Sequence, residues 1–291
     1  MTSFSANIDD FGVDSASLAG PLEGKLSAVR EAGFAQIVLC ASDLVNHPGG
    51  IDAAVAAVQH SGLRVSGFQS LHDFEGLPDS LQAYKIDVAK AMLGMCHALN
   101  CHLMVASAST LTQARTDNAS LIHNLRQLAM LAIPKNIRIA YQANPQAHTV
   151  KEFGQAWDLV CMADMPNLGL CLDTAEVLAS TSADNDLEML DSEKLFLVQL
   201  ADTLDSANPS ARLFPGEGEH RTELATMLTT LHGLGYRGDY CLSSLNADYL
   251  HMPASIVVRR AWDSALWLGQ DVLQRSVPLP NQIRLKRVLA N

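Results

Sequence analysis

The stretch IRIAYQANPQAH, residues 137–148, contains one unit of the pattern that decides the fold. An apolar run ends in a neutral amide, Gln142, and the chain then enters a loop at Asn144 and Pro145. Short apolar runs bounded by turn residues are typical of strands buried on both faces. The polar residue at the end of such a strand is a candidate for a functional position.

Eight apolar runs of this kind alternate with segments of helical periodicity. The predicted strands are FSANI (4–8), QIVLC (36–40), RVSGFQ (64–69), HLMVASA (102–108), IRIAYQA (137–143), LGLCLD (168–173), LFLVQLAD (195–202) and DYCLSSL (239–245). They begin about 27 to 44 residues apart, the length of one strand-and-helix unit, which predicts parallel strands with helical crossovers. Eight such units favour a closed (β/α)8 TIM barrel, an α/β fold, over an open doubly wound sheet. No Gly-x-Gly-x-x-Gly motif follows the first run to support dinucleotide binding.

The segments between these runs carry apolar residues three and four positions apart. They predict helices at 22–32, 51–60, 80–99, 120–131, 150–162, 223–234 and 254–273, while the segment after LGLCLD is short and ambiguous. Gly33, Gly62 and Gly235 follow helical segments and are predicted to cap them. The helices thus alternate with the strands as a barrel requires.

The composition limits the classes of function. The chain has 291 residues, is 48% hydrophobic and carries a formal net charge of -11, which disfavours nucleic acid as a partner. No apolar run is long enough to span a membrane, so a cytoplasmic protein is expected. No Cys-x-x-Cys pair occurs, and Cys40, Cys171 and Cys241 are predicted to be small buried residues.

The two ends of the chain differ in their expected roles. Residues 1–275 are predicted to form one barrel domain, and residues 276–291 a C-terminal arm containing Pro278 and Pro280. The arm's apolar residues require burial, so it is expected to pack either on the barrel or on a partner chain, and only the second arrangement would give a homo-oligomer through the arm.

Polar residues end several of the predicted strands. In a parallel barrel these ends converge on one opening, here called the mouth. The residues are Gln142, Asp173, Gln199 and Ser243, with Gln69, Ser107 and Asp202 nearby. A hard divalent cation normally needs at least two carboxylates, and only Asp173 is acidic among the first four. Zinc prefers His or Cys, which these four positions also lack.

Several motifs follow one another in a familiar order along residues 5 to 270. They are GFQSLHDFEGLPD, AYQANPQAH, MPNLGLCLDTAEVL, LFLVQLAD, RLFPGEGE and GYRGDYCLSSLN. In order and spacing the chain resembles the xylose-isomerase-like TIM barrels, the sugar phosphate isomerase/epimerase superfamily, also described as AP-endonuclease-2-like. Within them it is most similar to the bacterial 3-dehydroshikimate dehydratases.

The resemblance implies a divalent metal, Mn, Mg, Co or Zn, held by a Glu, an Asp, a Gln or His, and a Glu at the ends of the fifth to eighth strands. The matching residues are Gln142, Asp173, Gln199 and Ser243, so two carboxylates are replaced. Each lost carboxylate weakens the attraction for a doubly charged ion. Asp173 and Gln199 are remnants of the ligand set, and metal binding is predicted to be weak or lost.

Other positions also depart from the pattern that the resemblance implies. The resemblance implies an Arg that contacts a substrate carboxylate at the position of His72. It also implies a His just after the Asp that ends the sixth strand, and that position is Glu176. The segment NPSARLFPG lacks an upstream His. Glu176 has two readings, a carboxylate that turns into the cavity or an acid favoured at a helix N-terminus.

Two functional hypotheses remain open. In the first, a divergent isomerase, epimerase or dehydratase acts on a small polyol-like or cyclic hydroxy-acid molecule. Its predicted acid and base residues are Asp173, Glu176 and His148; its predicted substrate-binding residues are His72, Gln69, Gln142, Ser243 and Asp202. In the second, the barrel is a catalytically inactive small-molecule sensor or partner subunit.

Overall fold

The computed structural model describes residues 8–180, 186–204 and 211–275. In these residues eight parallel strands close into a barrel, which confirms the predicted fold. Its strands are Phe11–Asp14 (β1), Gln36–Cys40 (β2), Arg64–His72 (β3), Leu103–Ser107 (β4), Arg138–Gln142 (β5), Leu168–Asp173 (β6), Leu195–Leu200 (β7) and Asp239–Leu242 (β10). Asp202–Thr203 (β8) and Arg212–Leu213 (β9) form a separate antiparallel ribbon.

Helices alternate with these strands. They are Leu22–Ala32 (α1), Ala41–Val45 (α2), Gly50–Ser61 (α3), Asp79–Ala98 (α4), Asn118–Ala132 (α5), Phe153–Ala163 (α6), Thr174–Ala179 (α7), Arg221–Gly233 (α8) and Ala254–Leu266 (α9), the last continued by the π-helical Trp267–Val272. Gly33 and Gly62 end α1 and α3 with φ of 107° and 72°, a left-handed conformation that costs glycine little. The ambiguous segment after LGLCLD forms α7.

The prediction of the first strand was wrong. It placed the strand at residues 4–8, of which 4–7 lie outside the described residues, whereas β1 is FGVD at Phe11–Asp14. This run is only four residues long, and its parallel pairing with β2 and β10 makes it a strand. The correction brings a new residue, Asp14, to a strand end.

The seventh strand is shorter than predicted. It ends at Leu200, and Asp202 and Thr203 leave the barrel to pair with Leu213 and Arg212. The ribbon therefore brings Arg212 back over the carboxyl end of the barrel.

The interior of the barrel is filled by a small apolar cluster. Its members are Val38, Leu103, Val105, Ala140, Cys171, Phe196, Leu197 and Cys241. A larger cluster packs between the strands and the helices. Cys171 and Cys241 are buried as predicted, while Cys40 is half-buried. Because this filling is apolar, polar groups from the strands collect above it at the mouth.

Two further expectations concern the surroundings of the barrel. No helix within residues 8–180, 186–204 and 211–275 is long and apolar enough to cross a membrane. The predicted C-terminal arm, 276–291, lies outside the described residues.

Candidate functional site

A cavity of about 320 Å³ opens at the carboxyl ends of the strands. This volume suits a small molecule. Its lining is mostly polar and uncharged, and consists of Asp14, Gln69, Ser70, His72, Ser107, Gln142, Asn144, Pro145, Gln146, Glu176, Gln199, Arg212, Ser243 and Leu245. The mouth is therefore the candidate site that the strand ends predicted.

Asp173 anchors one side of this cavity. It is 1% exposed, ends β6 and is the N-cap of α7, where its Oδ1 accepts the backbone N–H of Ala175 at 2.9 Å. Its Oδ2 accepts a hydrogen bond from Nη1 of Arg212 at 2.5 Å. The carboxylate thus accepts hydrogen bonds from a buried guanidinium and from the first turn of α7.

Glu176 lies in the first turn of α7 and also lines the cavity, so it is both an acid at a helix N-terminus and a carboxylate at the cavity. Its Oε1 accepts Nε2 of Gln142 at 3.2 Å and lies 3.8 Å from Nη2 of Arg212. Burial and then the negative charge of Asp173 raise the pKa of Glu176 well above its ordinary value; Arg212 and Gln142 oppose this only in part. A buried acid with a raised pKa is suited to proton transfer near neutral pH.

A chain of amides connects the strands across the mouth. Nε2 of Gln142 lies 3.3 Å from both Asp173 Oδ2 and Gln199 Oε1. Gln199 in turn donates from its Nε2 to Oε1 of Gln69 at 2.8 Å. The register that places Asp173 beside Gln199 makes this chain possible. Gln142 therefore donates hydrogen bonds at a position where a glutamate carboxylate could only accept them.

The β1 side of the mouth holds a third buried acid, Asp14. It is 1% exposed, and its oxygens accept the Ser243 hydroxyl at 2.8 Å and the Ala16 backbone N–H at 2.9 Å. Burial raises the pKa of Asp14, an effect that the hydrogen bonds from Ala16 and Ser243 partly oppose. Sequence reasoning missed Asp14 because the first strand was misplaced. The polar residue ending the run FGVD was the available signal.

Arg212 is the second functional residue that sequence reasoning missed. It is 9% exposed, and its backbone oxygen accepts the Ser244 hydroxyl at 2.7 Å and the Asn246 side-chain amide at 3.1 Å. The charge of Asp173 raises the pKa of Arg212. The signal was an arginine in NPSARLFPG, the segment already noted for lacking a histidine.

The two predicted histidines differ in position. His148 is exposed and does not line the cavity; the structure records its backbone N–H donating to Ser109 O at 3.3 Å. His72 lines the cavity from the rim, where partial burial lowers its pKa. The structure therefore brings His72, but not His148, to the groups at the strand ends.

Asp202 is buried and holds a loop instead of lining the cavity. Its carboxylate accepts the backbone N–H groups of Thr203, Gly216, Gly218 and His220 at 2.8 to 3.2 Å. A Cβ on Gly218 would lie 2.4 Å from Asp202 Oδ1, so glycine permits this approach. The amides of this loop therefore bind one of the protein's own carboxylates.

The residues at the mouth do not fit the divalent ion that the resemblance implies. Arg212 already binds Asp173 Oδ2, Gln142 directs N–H groups toward the same oxygen, and Ser243 donates to Asp14. Two unit charges 4 Å apart interact by about 4 kcal/mol at an effective dielectric constant of about 20, so the repulsion of a doubly charged ion by Arg212 would cancel its attraction to one carboxylate such as Asp173. Across the described parts of the chain, no group of three or more His, Cys, Asp or Glu side chains is arranged to hold a metal.

Comparison with known proteins gives the fold a family. Residues 26–254 match the family described as xylose isomerase-like TIM barrel. A 3-dehydroshikimate dehydratase of Pseudomonas aeruginosa is 31% identical over 271 residues, covering 90% of this chain and 42% of that protein. The chain thus spans less than half the length of this relative.

Two further proteins are similar over different shares of the chain. An inosose isomerase of Halalkalibacterium halodurans is 29% identical over 187 residues, covering 61% of this chain and 65% of that protein. A solved structure of an IOLI protein with a bound zinc atom has a TM-score of 0.79 at 21% identity, covering 90% of this chain and 98% of that one. At that identity the structural likeness shows the fold alone.

Proposed function

The chain belongs to the xylose isomerase-like TIM barrel family, and from that premise we propose that it binds a small, neutral, polyhydroxylated carbonyl compound at the mouth and isomerises it by proton transfer. The observation that carries the proposal is the Glu176 carboxyl, which is buried, faces the cavity and has a raised pKa. Its relatives named 3-dehydroshikimate dehydratase and inosose isomerase support a hydroxylated cyclic substrate.

The uncharged lining supports a ligand rich in hydroxyl groups. Amides and hydroxyls both donate and accept hydrogen bonds, as ligand hydroxyls do. Gln69, Ser107 and Asn144 line one side of the cavity, and Asn144 Nδ2 lies 3.3 Å from Ser107 Oγ. Such a surface can replace the water around a sugar-like molecule without supplying net charge.

The charges at the mouth favour a neutral ligand over a carboxylate. The lining acids Asp14 and Glu176 and the adjacent Asp173 accompany one guanidinium, Arg212, which already contacts Asp173 and Glu176. Even with Asp14 and Glu176 protonated, the remaining pair sums to zero. Since a carboxylate loses water on entering a partly buried site, it would need a cation to compensate.

Glu176 and Asp14 have different roles in the proposed proton transfer, Glu176 as the acid and Asp14 as the base. Glu176 lies beside the negative Asp173, which favours its protonated form, so it gives its proton to the ligand's carbonyl oxygen. Ionised Asp14 takes the proton from the neighbouring carbon, and a neutral enediol forms. Return of one proton to a carbon and one to Glu176 completes the isomerisation and restores both acids.

The test is turnover of inosose and of 3-dehydroshikimate with and without a chelator. We expect turnover of the neutral ketone, unchanged by the chelator, with deuterium from D2O appearing at carbon next to the carbonyl. E176Q should lower kcat/KM by roughly 10² to 10⁴-fold. Glu193→Gln, an exposed acid, is the matched control, and H148Q should also leave turnover unchanged. Turnover that the chelator abolishes would contradict the proposal.

A second candidate, a binding protein without catalysis, is favoured by one observation. Gln142, Asp173, Glu176 and Arg212 already satisfy one another, so the groups need no substrate to complete them. This candidate predicts that inosose binds by calorimetry but exchanges no deuterium. Binding of neither compound would contradict both candidates.

A further inference from the structure

Arg212 lies beside the two carboxylates on the β6 side of the mouth. Its Nη1 is 2.5 Å from Asp173 Oδ2 and its Nη2 is 3.8 Å from Glu176 Oε1. We propose that this guanidinium is a permanent cation that takes the place of a divalent metal ion in this barrel, excluding the metal and holding the ligand oxygen on which negative charge develops. The ligand half of this inference rests on the proposed function; the exclusion of metal does not.

The guanidinium is held in place from both ends of the residue. Its backbone oxygen accepts two side-chain hydrogen bonds, from Ser244 and Asn246, and its head group contacts two acids. Its side chain is 11% exposed, and that of Asp173 is 0% exposed. Withdrawing the side chain would leave buried acids without their cation, which is strongly unfavourable. The displacement of Arg212 by a metal ion would therefore have a large free-energy cost.

The neighbouring amide is oriented for a guanidinium and not for a metal. Gln142 directs its N–H groups at Asp173 Oδ2 and Glu176 Oε1, so these oxygens are accepting hydrogen bonds already. A metal needs lone pairs from its ligands, and an amide nitrogen offers none. Gln142 and Arg212 thus act together, since both supply donors to the same two acids.

The position of Arg212 also suits the proposed reaction. The residue lines the cavity, so a ligand oxygen that enters there meets a fixed positive charge. A guanidinium stays protonated throughout a reaction and donates from a planar set of N–H groups. Cationic donors that are fixed beforehand stabilise developing negative charge without reorganising.

The decisive experiment is a metal titration of four proteins by calorimetry, with Zn²⁺ and Mn²⁺ as probes and circular dichroism to verify folding. The proteins are the wild type, R212M, the double variant Q142E/S243E and the triple variant Q142E/S243E/R212M. We expect no saturable binding by the wild type and the tightest binding by the triple variant. Removing the positive charge from the double variant should tighten binding at least about 100-fold. Arg259→Met, on the exposed face of α9, is the matched control and should change nothing.

Two results would overturn the inference. One is a wild-type protein that binds one equivalent of either metal with an affinity that R212M leaves unchanged. The other is a triple variant that folds but binds no more tightly than the double variant. In a separate arm, inosose affinity should fall at least about 10-fold in R212M and partly recover in R212K, because lysine keeps the charge but loses the planar donors. If the wild type binds no inosose, the proposed function fails, while the metal titrations still decide whether Arg212 excludes metal.

Discussion

Asp173 and Asp14 are both 1% exposed at the same mouth, yet their surroundings differ. Asp173 faces the guanidinium of Arg212, whereas Asp14 faces a hydroxyl and a backbone N–H. Burial raises the pKa of Asp14 because neutral donors offset desolvation only in part. The two sides of the cavity therefore differ in how they hold a buried acid, with a cation at Asp173 on the β6 side and with neutral donors at Asp14 on the β1 side.

The largest expected effect is removal of the cation from the Asp173 side. R212M should lower the free energy of unfolding by about 3 to 5 kcal/mol, because breaking a buried pair leaves an uncompensated charge. Urea denaturation measures it. Arg259→Met, an exposed control, should stay within about 0.5 kcal/mol. Equal stabilities of R212M and the wild type would show that the Asp173 side is no more dependent on charge than the Asp14 side.

The next effect concerns Glu176, which shares the Asp173 side but has a raised pKa. Its folded form binds its proton more tightly than the unfolded chain does. That stabilisation is complete below the ordinary pKa of 4.5 and is lost as pH rises toward the folded pKa. E176Q cannot ionise, so it should gain about 0.5 to 2 kcal/mol over the wild type near neutral pH.

The measurement for Glu176 is denaturant unfolding of both proteins at several pH values from 4 upward. The advantage of E176Q should grow as pH rises. Glu193→Gln, at an exposed position, should show no such growth. An advantage that shrinks with rising pH would mean that Arg212 dominates and that the pKa of Glu176 is lowered.

Asp14 provides the corresponding test on the other side. Its folded pKa also lies above the ordinary 3.8, so its contribution to stability is lost as pH rises above that value. D14N retains an oxygen for the Ala16 N–H and should differ from the wild type by about 1 kcal/mol, increasingly in the variant's favour at higher pH. Asp158→Asn, at an exposed position, is the control for the same unfolding series.

The smallest effect comes from the hydroxyl that supports Asp14. S243A and S244A each remove one buried hydrogen bond, so each should cost about 1 kcal/mol. Only S243A should change the pH dependence of stability, because Ser244 donates to a backbone oxygen and not to an acid. Loss of the Ser243 donor raises the pKa of Asp14 further, since that hydrogen bond lowers it. Identical pH profiles for the two variants would contradict this assignment.

Most of the fold follows from local pattern. The spacing of apolar runs and helices predicted the closed barrel, and seven strands lie at their predicted places with ends shifted by a few residues. The exception is β1, whose four residues carry too little periodicity to be distinguished from a loop. Its identity depends on partners in β2 and β10, more than 20 residues away on one side and more than 200 on the other.

The candidate site divides in the same way. Because the strand ends of a parallel barrel converge on one mouth, the sequence predicted that Gln142, Asp173, Gln199 and Ser243 lie there. The structure places them together at the mouth. Arg212 obeys no such rule, because it belongs to a ribbon formed by a strand leaving the barrel. His148 lies in a loop near the mouth in sequence but is exposed.

Read from its residues alone, this chain specifies a parallel barrel with polar residues at the strand ends around its mouth, because periodicity and residue type are local properties. Only the tertiary structure decides which positively charged residue pairs with Asp173. The pairing of Arg212 with Asp173 spans 39 residues, and that of Ser243 with Asp14 spans 229. Electrostatic energies in a buried site depend on distance and solvent exclusion, and the folded chain sets both.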